Sequence, residues 1–234
     1  GYIVKPQNLE NGILASGSLL ANEEVELHAD ASGRIVQLNL NEGTPVSKGA
    51  LLVKLFDADL QAQLKKLYAQ RETAEKTEQR LKQLLAINGV GQSEYDAAST
   101  QLAGINADIE YTQAQISKTE IRAPFDGIVG LKNVSLGAYV SPTVSIATLQ
   151  QISQLKVDFT VPEKYSATLT KGDLLKFTVD GFDQTFTARV YAIEPRIDEA
   201  TRTIKVRALA QNGGTKLLPG AFAKIDLGLK SIDN

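Results

Sequence analysis

Residues 29–55 read ADASGRIVQLNLNEGTPVSKGALLVKL, and residues 123–149 read APFDGIVGLKNVSLGAYVSPTVSIATL. Set side by side, Ala29, Gly33, Gly43, Val46, Ser47 and Leu55 recur as Ala123, Gly127, Gly137, Val140, Ser141 and Leu149, at a constant offset of 94. Ile35/Val129, Leu40/Val134 and Leu52/Ile146 are conservative matches in the same register. A fixed offset without slippage implies two copies of one small β unit. Each copy has a half-buried strand, as in the alternation from Ile35 onward, then a glycine turn and an answering strand such as Leu51–Leu55. The copies are predicted to superimpose by a pseudo-two-fold.

Between them lie 64 residues, 57 to 120, rich in Ala, Gln, Lys, Glu and Leu and free of Pro. That composition suits helix and not strand. An outgoing seam runs Leu60, Leu64, Leu67, Arg71, Ala74, Glu78, Leu81, Leu85, and a returning one Tyr95, Ala98, Leu102, Ile105, Ile109, Thr112, Ile116, Thr119. Both are spaced alternately by four and three, the period of helices that pack along a shared seam. Asn88-Gly89-Val90-Gly91 breaks the pattern, so an antiparallel hairpin is expected, with an outgoing arm reaching roughly 40 Å at ~1.5 Å per residue. Residues 59–88 carry six basic and four acidic groups, and residues 92–120 one basic and five acidic. Opposite sign favours pairing, though exposed pairs contribute only ~0.2–1 kcal/mol each. Arg71 and Glu78 are poor seam residues, and snorkelling to water is the simplest account of them.

After residue 150 the text alternates over Gln154–Val161, Leu175–Val179 and Arg202–Ala208, with turns at Lys171-Gly172-Asp173, Asp180-Gly181 and Asn212-Gly213-Gly214. Short strands with frequent turns predict a small antiparallel β-barrel. Pro162–Leu169 reads as one short helix.

Composition excludes several classes. The 234 residues carry 25 basic and 27 acidic side chains with no basic stripe, which argues against a nucleic-acid partner. No stretch approaches the ~18 consecutive apolar residues of a membrane-spanning helix, and the first residues are no signal peptide. Cysteine and methionine are both absent. The first absence excludes thiolate metal sites, and the second suggests a piece of a longer protein. The lone histidine, His28, stands in no catalytic context, so neither an enzyme nor a metal site is expected.

Ile121-Arg122-Ala123-Pro124-Phe125-Asp126-Gly127-Ile128-Val129, then Val134 to Pro142, Val157 to Glu163, Thr201-Arg202-Thr203 and Leu218-Pro219-Gly220-Ala221-Phe222 resemble the periplasmic adaptor, or membrane fusion, proteins of resistance-nodulation-division efflux pumps. The resemblance covers essentially the whole chain. It implies an elongated α+β multidomain protein: N-terminal strands of the membrane-proximal or barrel region at 1–22, a lipoyl-like β domain at 23–57 and 121–150, an inserted α-helical hairpin at 58–120, a β-barrel at 151–230, and the start of a truncated membrane-proximal part at 231–234. It further implies a periplasmic subunit, anchored to the inner membrane in full-length form, that links an inner-membrane proton-driven transporter to an outer-membrane channel and self-associates into a ring, a hexamer in the family.

The family's hairpin tip carries an Arg, a Leu four residues on and a Ser seven after that, implicated in channel docking. Arg80 and Leu84 match, while the Ser position is Gly91, with Ser93 two residues away. An adaptor of an ABC-type export or type I secretion system is the alternative within the family. A lipoyl or biotinyl carrier is the alternative of another class, but a carrier needs a modifiable Lys at the turn between its half-motifs. Here the hairpin replaces that turn, so no cofactor is expected. Copper efflux would call for Met or Cys ligands, which the chain lacks.

Overall fold

The computed structural model describes residues 12–166, 168–214 and 217–228. The elements run β1 (Gly12–His28), β2 (Gly33–Leu38), β3 (Pro45–Val46), β4 (Leu51–Leu55), α1 (Ala58–Ala86), α2 (Gln92–Ser117), β5 (Glu120–Arg122), β6 (Gly127–Lys132), β7 (Tyr139–Val140), β8 (Ser145–Pro162), β9 (Leu174–Val179), β10 (Phe186–Asp198), β11 (Thr203–Gln211) and β12 (Phe222–Gly228). The chain divides into two compact units. One contains Glu26–Phe125 and Val129–Thr148, the other the described residues up to Val25, Asp126–Ile128 and Leu149 onward. The protein is thus a mixed α and β chain with a helical hairpin between two stretches of strand.

In the first unit a four-stranded sheet has the order β5-β4-β2-β7. The sequence repeat is visible in its packing. Ile35 and Leu52 are buried, and so are their counterparts Val129 and Ile146. Gly43 and Gly137 both adopt positive φ, at 71° and 86°, a conformation that only glycine takes cheaply. The loop amides repeat as well: Asn39 N–H donates to Leu52 O at 2.8 Å, and Asn133 N–H donates to Ile146 O at 2.8 Å.

In the second unit the pairings run β1-β12-β9-β10-β11-β8 and return from β8 to β1, so six strands meet in a ring. Period-two alternation fills its inside: Leu155, Val157, Phe159 and Val161 of β8 face Val206, Ala208 and Ala210 of β11 and Phe177 of β9 in one apolar cluster. β1 approaches β8 closely at Gly17, where a Cβ would run into the Asp158 carbonyl oxygen and lie 2.8 Å from Phe159 Cβ. Asn212 is buried and closes this unit from within, donating through Nδ2 to Ile152 O and Leu217 O at 2.9 Å each and accepting from Leu217 N–H at 3.1 Å.

The helix expected over Pro162–Leu169 is instead a single 3-10 turn at Glu163–Tyr165. Pro162 holds the β/PPII conformation at its start, and the turn ends through Ser166 N–H on Glu163 O at 2.9 Å, too short a run to nucleate an α-helix. The expected segments 1–11 and 231–234 lie outside the described residues.

Candidate docking site

α1 and α2 pair along the expected heptad seam. Every expected seam position is buried or half-buried, with Leu67, Leu81, Ile105, Ile109, Thr112 and Thr119, the last just past α2, the most enclosed. The two charged seam residues behave differently from plain snorkelling. The Arg71 guanidinium sits over the Tyr68 ring, 5.1 Å from its centroid, with Nε 3.3 Å from Glu75 Oε1. Across the seam the Tyr95 hydroxyl faces Glu78, and its interaction with that carboxylate holds the Tyr95 phenol above its ordinary range. Tyr68 and Tyr95 thus provide local partners for both charges inside the hairpin.

The tip is built by two backbone devices. Asn88 takes the left-handed conformation, φ 55°, just past the end of α1. Its N–H reaches Leu85 O at 3.0 Å, and Gly89 N–H reaches Leu84 O at 2.7 Å. This pair of bonds is the Schellman arrangement that stops a helix and satisfies its last carbonyls. Gly91 then opens α2 as its N-cap residue in an extended conformation, φ −80° and ψ 152°, without a side-chain cap. Nothing lies within 4 Å of where its Cβ would be.

Arg80 is exposed in the last turns of α1. Leu84, one turn on, is half-buried, so only part of its side chain is available to a partner. Gly91 and Ser93 are both exposed. Ile87, which sequence reasoning did not single out, is 73% exposed at the C-cap of α1. Its signal was present: it falls two residues past Leu85, off the four-three spacing, so it has no seam to enter. The tip therefore offers a guanidinium and an apolar side chain on a fixed turn, an arrangement suited to contact and not to bond chemistry.

His28 is exposed and lies 3.6 Å from Glu26. Among the described residues there is no group of three or more His, Cys, Asp or Glu side chains able to hold a metal ion, and no helix is long and apolar enough to cross a membrane.

A family model described as the RND MFP barrel-sandwich hybrid domain matches residues 23–150, more than half of the chain, and one described as the CusB-like beta-barrel domain matches residues 155–231. The chain belongs to the membrane fusion proteins of the resistance-nodulation-division family. This membrane fusion protein is 32% identical over 233 residues to an uncharacterized protein of Haemophilus influenzae, covering 99% of the chain and 61% of that protein. It is 30% identical over 234 residues to the multidrug resistance protein MdtA of Klebsiella pneumoniae, covering 90% of the chain and 57% of MdtA. The chain thus spans about three-fifths of the length of these relatives.

Among solved structures, a putative efflux transporter from Bacteroides eggerthii aligns with TM-score 0.76 and 26% identity over 96% of the chain and 72% of its own. A MacA-MexA chimera bearing the Pseudomonas aeruginosa MexA α-hairpin aligns with TM-score 0.83 over 97% of this membrane fusion protein and 84% of the chimera. At 23% identity the second match speaks for the fold alone.

Proposed function

We propose that this membrane fusion protein is the periplasmic adaptor of a tripartite efflux pump, joining an inner-membrane proton-driven transporter to an outer-membrane channel through its hairpin tip. In this reading residues 23–57 and 121–150 form a lipoyl-like domain, 58–120 the arm, and 151–230 a small antiparallel barrel. The full-length protein sits in the periplasm anchored to the inner membrane and assembles as a ring. It performs no reaction of its own and carries no cofactor; the transporter chooses the substrate.

The observation that carries the reading is the tip: an exposed Arg80 and the half-buried Leu84 and open Gly91 beside it, held on a two-helix arm by a capped turn. Arg80 there can donate charge-assisted, forked hydrogen bonds to carboxylate or carbonyl acceptors on a channel. The match to MdtA, a multidrug resistance protein, supports drug-type efflux.

Deletion of the gene in its native host tests this directly. Loss of drug export, restored by the full-length protein expressed from a plasmid, is the expected result. Unchanged export in the deletion strain contradicts it. Neighbouring reading frames decide the class of partner: a large proton-driven transporter fits the proposal, whereas an ATP-binding subunit points to an ABC-linked adaptor.

A further inference from the structure

The root of the hairpin holds a cluster of charged side chains that the docking tip does not use. Lys54, the fourth residue of β4, reaches three acceptors: Asp57 Oδ2 at 2.7 Å, Glu120 Oε1 at 2.9 Å and Thr119 Oγ1 at 3.2 Å. Asp57 is the last residue before α1. Thr119 and Glu120 are where the chain leaves α2 and enters β5. The second oxygen of Glu120 accepts from Arg122 Nη2 at 2.8 Å and Nε at 3.1 Å, and Arg122 Nη1 donates to the Gly49 carbonyl at 2.8 Å. One ammonium therefore ties the chain entering the hairpin to the chain leaving it, and the bonds continue into the β strands.

This cluster is unlike the ion pairs along the arm. The Lys54 and Asp57 side chains are 15% and 11% exposed, against 72% and 68% for Lys76 and Glu72. Exposed pairs of the second kind hold little, while a sheltered, multiply bonded charge keeps a fixed geometry. Asp57 also departs from the local rule. It occupies the N-cap position of α1, where an aspartate ordinarily accepts a helix amide, yet it makes no such bond. Its carboxylate turns to Lys54 and to Gln61 Nε2, the latter at 2.9 Å. A helix start has given up its cap to hold the root, the kind of local conflict that marks a specialised site.

The backbone gives the cluster something to control. Leu55 N–H donates to Thr119 O at 2.8 Å, and Lys54 faces Glu120 in the β4–β5 register. Phe56 N–H adds one more bond, to Arg34 O at 2.8 Å, and beyond it the hairpin is joined to the strands by two single stretches of chain, through Asp57 and through Lys118-Thr119. Single segments are natural hinges for rigid-body motion of a packed element.

We propose that the Lys54–Asp57–Glu120 cluster is a latch that fixes the direction in which the hairpin leaves the β strands. With Lys54 in place the two segments cannot rotate independently, because both are held to one ammonium. Without it the helix pair tilts as a body, its seam and the β core intact. The inference goes beyond the adaptor reading and holds whether or not the tip docks.

The chain has no cysteine, so Cys introduced at the exposed Gln83 and Ser135 can be spin-labelled selectively and the distance between them measured by pulsed electron paramagnetic resonance. With Lys54 present the distribution is narrow. Lys54→Met is expected to broaden it roughly two-fold while cooperative melting is retained. Lys54→Arg recovers most of the narrowing, and the control Lys76→Met changes nothing. Glu120→Gln, which keeps the shape and removes one charge, gives a smaller broadening and decides the matter if Lys54→Met does not fold. An unchanged distribution in Lys54→Met and Glu120→Gln overturns the proposal. So does loss of cooperative melting in both, since the cluster would then hold the β strands together and not orient the arm.

Discussion

The backbone amide of Gly43 donates to the carbonyl of Val129 at 2.8 Å. Shift both residues by the repeat and exchange the halves, and the same bond reappears: Gly137 N–H donates to Ile35 O at 3.0 Å. The neighbouring pair also reciprocates, with Val129 N–H on Thr44 O at 3.1 Å and Ile35 N–H on Ala138 O at 2.9 Å. Each copy thus completes the other's strand through its glycine turn. Neither copy can satisfy those backbone groups alone, which is a physical reason for the repeat to stay in register across a 64-residue insertion.

Gly43→Ala and Gly137→Ala are each expected to cost about 1–2 kcal/mol, because a Cβ is penalised at positive φ even though the space around both glycines is open. Neither added Cβ would have a neighbour within 4 Å, so the double variant should be close to the sum of the singles. Urea denaturation of the three variants checks both the size and the additivity. Losses below a few tenths of a kcal/mol would mean the turns relax without strain.

At Gly17 the objection to a side chain is space and not φ. A Cβ there meets the Asp158 carbonyl oxygen and sits 2.9 Å from Ile225 Cδ1. Gly17→Ala must push β1 off β8, and a loss of about 3 kcal/mol is expected, at the upper end of overpacking. Thermal melting of the variant measures it. A melting temperature within a degree or two of the parent would show that the ring does not close tightly at this point.

Much of this was legible in the residues and some was not. The repeat and the helical seam declared themselves because period and offset are local properties of the text. Arg71 and Glu78 look misplaced because a heptad count neither includes Tyr68, which lies off the seam, nor shows that the Tyr95 hydroxyl meets Glu78 across it. β10 was missed for a physical reason: bulges between Val190 and Ala192 and between Ile193 and Ile197 break its alternation. Gly17 and Asn212 were unreadable because their roles depend on residues far along the chain. In the sequence Asn212 reads as a turn former, yet its side chain donates to Ile152 O, 60 positions away. The Lys54 cluster escaped in the same way, since Glu120 stands 66 residues from Lys54.

That cluster gives a pH dependence with a definite sign. Burial opposes the Asp57 charge, but the hydrogen bonds from Lys54 and Gln61 outweigh it and hold the carboxyl below its ordinary value; Lys54 and Arg122 do the same for Glu120. Carboxyls lowered by folding contribute stability above their unfolded pKa of about 4 and lose it as pH falls through the lowered values. Burial pulls Lys54 down, yet its partners raise it overall, so its share is present below about pH 10.4 and is lost above. Lys54→Met should therefore be less stable than the parent by about 1–3 kcal/mol at pH 7, the gap shrinking below about pH 4. Urea midpoints of both proteins from pH 2.5 to 7 test this, and a gap independent of pH would contradict it.

Gly91→Ser is expected to be tolerated. The residue is extended and its Cβ position is empty, so a serine can place Oγ on the first-turn amides of α2. Replacing a Gly cap by Ser raises stability by a few tenths of a kcal/mol. Melting that rises slightly, with efflux at or above the parent level, is the expected outcome; reduced efflux would mean that the tip contact depends on the bare glycine.

In the proposed adaptor, Arg80 docks the arm to a channel. Arg80 is exposed, and surface substitutions usually stay within about 0.5 kcal/mol in stability, whereas a charge-assisted bond lost at an interface costs about 1.5–3 kcal/mol. The most direct measurement is drug efflux in cells carrying full-length Arg80→Asp, together with thermal melting of the purified variant. Export is expected to be lost while the melting temperature stays near that of the parent. Full export at normal expression, or a collapse of the melting temperature, would contradict it.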